Sequence, residues 1–239
     1  MKFLLTLLLL HVILISCRSA NLRCFEENKC NNNQGKYIST SEFKDIYEGT
    51  TKVSPVFNFG VDRILPYGYG KMTYIQEKPG FLRYESFTDS YEGYWDWIQD
   101  AGKVDYLSVY HGKGTKILKD GTIIDTEWQF GDHRIGSKGT IKFKDGRTIS
   151  GVWDKYYLCS GNCKNGKGSW ASSKGGWIQS GTFTNGSLNG IGTEETNEYI
   201  FNGTFNKNGK ESGKVKCKVE KTECMNSIPK GYHSALIFE

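Results

Sequence analysis

The sequence predicts an all-β protein, an elongated single-layer antiparallel sheet of repeated β-hairpins. Three observations predict it. Two near-identical alternating runs, "TKILKDGTIIDTEW" at 115–128 and "TIKFKDGRTISGVW" at 140–153, each hinge on an Asp-Gly pair. That dipeptide favours a type I′ hairpin, whose two central residues need positive φ. A glycine-to-aromatic spacing then recurs: 14 positions from Gly114 to Trp128, 14 from Gly139 to Trp153, 15 from Gly168 to Phe183 and 13 from Gly192 to Phe205. Finally, 29 glycines against 4 prolines suit many tight turns between short strands.

The totals limit the class. The chain has 239 residues, 37% hydrophobic and 14% aromatic, which excludes a disordered chain and a uniformly membrane-embedded one. Its net charge of +5 is mild and its lysines are dispersed, from Lys116 and Lys119 through Lys138, Lys142 and Lys144 to Lys164 and Lys167. Without an arginine-rich block, this reads as a solvated sheet surface and not as a nucleic-acid interface.

The first element is a leader. "MKFLLTLLLLHVILISC" has one basic residue, then an apolar run too short to span a bilayer, which predicts a signal peptide over 1–16. Leu14-Ile15-Ser16-Cys17 resembles the lipobox of bacterial lipoproteins. The resemblance implies cleavage before Cys17 and fatty acylation of that residue, palmitate included, with anchoring to a membrane; Arg18 after the cysteine offers no strong inner-membrane retention signal, so the outer membrane is expected. Cleavage after Ser19 and plain secretion is the alternative, kept open by the sequons at Asn185 and Asn202.

Residues 17–46 are polar and turn-rich and read as an N-terminal tether, with a helix or strand start in "STSEFKDIY". The other six cysteines fall into three local pairs: Cys24 with Cys30, Cys159 with Cys163, and Cys217 with Cys224. Metal binding is the rival reading. Only Cys159 and Cys163 have zinc-ligand spacing, and no histidine stands near them, so disulfides in an oxidising compartment are expected.

The hairpin array is assigned to 47–213. Its signature comprises Gly93 and Trp95, Gly112, Gly114 and Trp128, Gly139, Gly151 and Trp153, Gly166, Gly168, Gly181 and Phe183, and Gly190, Gly192, Gly203 and Phe205. Thr126 stands where a glycine is expected. A glycine two residues before an aromatic shares its face, leaving room for a neighbouring ring. A lone hairpin is marginal in water, whereas stacked copies bury each other's faces. "SGTFTNGSLNGIGTEETNEY", "FNGTFNKNGKESGKV" and "YEGYWDW" resemble the MORN repeat family, over roughly 91–215 with a degenerate copy at 47–74. Loops after Trp95, Trp128 and Trp153 are longer than that family's turn. The resemblance implies a scaffold with protein or phospholipid contacts. Residues 214–239 read as a cap, "KVKCKVEKTEC" forming a terminal hairpin closed by Cys217 and Cys224.

No reaction centre is visible. His11, His111, His133 and His233 lack ligand spacing, and His133 reads as a polar turn residue beside Asp132. "GNCKNGKGS" misses the P-loop pattern by one position. Glu194 and Glu195 are adjacent, so on a strand they point to opposite faces. No catalytic, cofactor-binding or metal-ligating residue is therefore assigned. The first expectation is a non-catalytic, lipid-anchored scaffold binding an unidentified protein or a membrane surface. The alternative is a glycan- or peptidoglycan-binding envelope protein using Trp95, Trp97, Trp153, Trp170 or Trp177; a hydrolase built on the 99–112 loop comes last.

Overall fold

The computed structural model describes residues 22–25, 30, 33–40, 44–54, 63–75, 88–99, 106–228 and 236–238. The leader, Cys17, His11 and His233 lie outside the described residues. Among those described there are seventeen strands and one short helix, and the strands belong to one open sheet, mostly antiparallel. The chain divides into two compact units, residues 1–119 with 127–132, and residues 120–126 with 133–239.

In the first unit, β1 (Leu22–Cys24), β2 (Gln34–Ser39), β3 (Ile46–Ser54), β4 (Arg63–Thr73), β5 (Thr88–Gln99) and β6 (Tyr106–Leu118) each pair antiparallel with the next. Strand pairing thus runs through part of the segment read as a tether. Gly35, Gly49, Gly70, Gly93 and Gly114 are direct cross-strand partners, one per strand, in a single row. Aromatic side chains lie over that row. A methyl group on Gly93 would sit 2.6 Å from Tyr91 Oη, and one on Gly70 would overlap the Tyr47 ring. Carbon contacts need about 3.5–4.0 Å, so only glycine fits beneath them.

Tyr47 and Tyr91 are fully buried. Their hydroxyls donate to the carbonyls of Thr50 (2.7 Å) and Tyr94 (3.0 Å), and burial pushes both phenols far above their ordinary pKa. Tyr110 stacks on Tyr91 at 3.9 Å, while Trp95 and Trp128 meet Tyr91 edge-on at 5.1 and 5.7 Å. The indole N–H groups are satisfied by the glycine row itself: Trp95 donates to the Gly70 carbonyl (3.2 Å) and Trp128 to that of Gly114 (2.8 Å). On the opposite face, register aligns Lys36, Glu48, Lys71 and Glu92 in a row of alternating charge.

In the second unit, Ile123–Thr126 of β7 (Ile123–Gln129) pair with β9 (Lys138–Lys142) beyond the two-residue β8 (Asp132–His133). β9 forms the Asp145-Gly146 hairpin with β10 (Thr148–Trp153). β11 (Tyr157–Gly161), β12 (Gly166–Ser172), β13 (Ile178–Thr184), β14 (Ser187–Glu195), β15 (Tyr199–Asn206) and β16 (Gly209–Cys217) follow antiparallel. Gly139 pairs with Gly151, and a second row runs Gly161, Gly168, Gly181, Gly192, Gly203, Gly213. Thr126 faces Gly139 and donates its hydroxyl to the Lys138 carbonyl at 3.1 Å. The core here is Phe183, Leu188, Tyr199, Phe201, Phe205 and Val215, joined by Cys224, Ile228 and Leu236.

Disulfides join Cys24 to Cys30, Cys159 to Cys163 and Cys217 to Cys224. The C-terminal segment differs from the expected hairpin. β16 ends at Cys217, α1 (Lys221–Ser227) follows, and β17 (Leu236–Phe238) returns parallel to β16. The helix carries Cys224 into the core, and Ile228, the extended residue that ends it, is buried in the same cluster. His133 is also not a polar turn residue. It is buried, stacks on Trp153 at 4.0 Å, and its Nε2 lies 2.9 Å from the Lys155 carbonyl.

Candidate functional site

The repeat signature is structural. Trp95, Trp128, Trp153, Phe183 and Phe205 are all buried. Of the signature glycines, Gly93, Gly114, Gly139, Gly151, Gly168, Gly181, Gly192 and Gly203 lie in the rows described above, while Gly166 and Gly190 sit directly opposite Phe183 and Phe205. Gly112 lies outside the rows, at φ 61°. Burial therefore removes Trp95 and Trp153 from the five indoles considered as sugar platforms. Trp97, Trp170 and Trp177 remain partly exposed. Trp97, in the first unit, packs edge-on against Tyr67 at 5.4 Å and donates its indole N–H to the Pro66 carbonyl at 3.1 Å.

Trp170 and Trp177 line a cleft of about 360 Å³ in the second unit. The two indoles are placed by the β12–β13 hairpin, one on each side of its Gly175-Gly176 turn. Their rings are 5.1 Å apart and inclined at 54°. Leu188 and Phe205 complete the apolar wall.

The cleft also has a polar cluster. β14 turns Glu194 and Glu195 to opposite faces, as the two-residue strand period requires. Glu194 is buried and accepts from Tyr199 Oη (2.7 Å) and Lys210 Nζ (2.5 Å) on one oxygen and from Gln179 Nε2 (2.6 Å) on the other. Burial alone would raise the Glu194 carboxyl, but these donors outweigh it and hold it below the usual carboxylate range. Tyr199 moves the other way: burial first, then its bond to Glu194, push its phenol up. The Lys210 ammonium also lies over the Tyr199 and Phe201 rings, at 5.3 and 5.8 Å.

On the far face Glu195 receives Arg147 through two bonds of 2.6 and 2.8 Å, and Lys218 at 2.5 Å. Arg147 also holds Asp145 of its own hairpin turn. A second hollow, of about 830 Å³, lies beside Trp170 and the Cys159–Cys163 loop. Its Asn162 carboxamide oxygen and one Asp154 carboxylate oxygen are already bound to backbone N–H groups of their own turns.

The first cleft thus offers two indole surfaces above one ionised carboxylate neutralised by one ammonium. That arrangement suits recognition by stacking and hydrogen bonding. Two carboxylates facing a common substrate, as glycoside hydrolysis uses, are not assembled by Glu194 and Glu195. Among the described residues, no group of three or more His, Cys, Asp or Glu is placed to hold a metal ion, and no helix is long and apolar enough to cross a membrane. No protein-family model matches the chain, and a search of curated proteins finds no similar sequence.

Proposed function

We propose that this chain is an exported, lipid-anchored repeat scaffold that holds a protein partner at a membrane surface and performs no catalysis itself. The observation that carries the reading is the Tyr69–Tyr94 pair on β4 and β5. These are direct cross-strand partners, each 51% exposed, with rings 5.4 Å apart and edge-to-face. Tyr69 donates to Glu92 at 3.0 Å, and Lys71 lies 3.9 Å from the same carboxylate. Exposed tyrosines beside charged groups have the composition of a protein interface, an aromatic centre with a polar rim.

The in-register glycine rows support kinship with MORN-like repeats and the scaffold role that kinship implies. The three disulfides belong to an oxidising compartment and fit export. On this reading Cys17 is the acylated residue and the bacterial outer membrane the destination, with secretion as the alternative. Several acyl chains hold firmly because each buried CH₂ contributes about 0.8 kcal/mol. The non-catalytic reading rests on Glu194 being neutralised by Lys210 and separated from Glu195 by the sheet.

A photo-crosslinking residue at position 94 tests the scaffold role in intact cells. A discrete protein adduct, lost on Tyr69→Ala, is expected; no adduct, or one indifferent to Tyr69, refutes it. Mass spectrometry of the mature N-terminus tests the anchor, an acylated Cys17 being the expected species.

A further inference from the structure

We propose that the cleft of the second unit is a saccharide site, which stacks a neutral pyranose ring on Trp170 and Trp177 and binds its hydroxyls through Gln179, Ser187 and Glu194. This goes beyond the scaffold reading and uses a different unit of the chain.

A pyranose has an apolar C–H face and a rim of hydroxyls that both donate and accept. The cleft matches each part. The two indoles are partly exposed and touch each other at 5.1 Å, inclined at 54°, so together they form one bent aromatic wall against which the apolar face of a ring can lie. Below them, hydrogen-bonding capacity is left over. Glu194 accepts three bonds, where an ionised carboxylate has about four lone-pair sites. Gln179 spends its amide N–H on Glu194, while its carbonyl oxygen has no partner among the described residues, and neither has the Ser187 hydroxyl.

Charge narrows the ligand class. Lys210 cancels Glu194 at the base of the cleft, both side chains being only 9% exposed. An anionic ligand would find the ammonium already paired, and a cationic ligand the carboxylate. A neutral polyol displaces neither ion and gains a fixed, ionised acceptor. A buried ion pair returns little net stability to a fold, but it does hold Glu194 ionised and Gln179 oriented for a ligand. The volume, about 360 Å³, falls in the small-ligand range of about 300–1,000 Å³.

The test is calorimetric titration of the exported protein, disulfides intact, with cellotetraose and chitotetraose, followed in parallel by tryptophan emission. Saturable binding of at least one is expected. Preference for the first assigns a hydroxyl-bearing glucan, and preference for the second an N-acetylated polymer. Trp177→Ala should weaken binding about tenfold, equivalent to 1.4 kcal/mol, and Gln179→Ala should weaken it with an unchanged circular dichroism spectrum. Trp97→Ala, in the first unit, should bind as the parent does. The proposal is overturned if neither sugar saturates at millimolar concentration, if both cleft variants bind like the parent, or if Trp97→Ala abolishes binding. Tyr69→Ala removes the crosslink without touching this cleft, so the two readings fail separately.

Discussion

Replacing Gly203 with alanine tests the glycine row at a rung crowded by the backbone of the next strand. The φ of Gly203 lies outside the left-handed region, so the backbone accepts a side chain there, and a glycine-to-alanine change in such a position normally stabilises by about 0.4–1 kcal/mol through the unfolded chain. The neighbours reverse that sign. The added methyl would lie 2.6 Å from Phe201 Cζ and 2.7 Å from Gly213 Cα, and would overlap the Ser212 carbonyl oxygen. Two of these three are backbone atoms of β16, so no rotamer change relieves them, and β15 and β16 must separate by about 1 Å to reach normal contact. Overpacking costs about 1–3 kcal/mol, and backbone neighbours place this site at the upper end. The net loss is about 2 kcal/mol, or roughly 8 °C in Tm for a unit of this size. Gly146→Ala is the control. Nothing lies within 4 Å of its added methyl, and only its φ of +88° is unfavourable, a penalty of about 1–2 kcal/mol. Scanning calorimetry of both variants decides the matter. If Gly203→Ala melts at or above the parent temperature, close packing is not what requires glycine in this row.

Acid should loosen the second unit. Glu194 and Glu195 are both held below the ordinary carboxylate range, because their bonds to Lys210, Tyr199 and Gln179, and to Arg147 and Lys218, outweigh burial. With the folded value the lower one, the unfolded chain binds more protons as pH falls below about 4.3. Tm should therefore be flat above about pH 5 and fall below it, and Glu194→Gln should flatten the slope; an unchanged slope refutes the assignment. The Cys217–Cys224 bridge closes a short loop, with a sequence separation of 7. Replacing both cysteines by serine should cost about 2 kcal/mol in urea unfolding, with loss of helical signal from α1. Tyr91→Ala, which empties a fully buried ring site, should cost about 3–5 kcal/mol; a loss below 1 kcal/mol would refute the stacked-ring core.

The glycine row was legible because each rung obeys a local rule. A small residue two places before an aromatic shares its face, and equal spacing brings successive glycines opposite one another. The opposite orientation of Glu194 and Glu195 followed from strand geometry for the same reason. The cleft was not legible, because its parts depend on a register change. Between Thr204 and Phe205 the pairing shifts, so that Phe205 faces Lys210. Strict alternation from Gly213 would turn Glu211 inward and Lys210 outward; the extra residue reverses both. α1 was missed differently. The Val/Lys alternation of "KVKCKVEKTEC" reads as strand, and that pattern masked the helix. His133 gave no sign of burial, since its stacking partner Trp153 lies twenty positions away.

A row in which every rung is the same residue does not distinguish one hairpin from the next. During folding, a β-ribbon could dock against the wrong copy and still align glycine with glycine. What discriminates is the layer above: Tyr47 and Tyr91 over the row in the first unit, Phe201 and Leu188 over it in the second. Exchanging those bulky side chains between units should therefore yield swapped or misassembled chains even where total stability is kept.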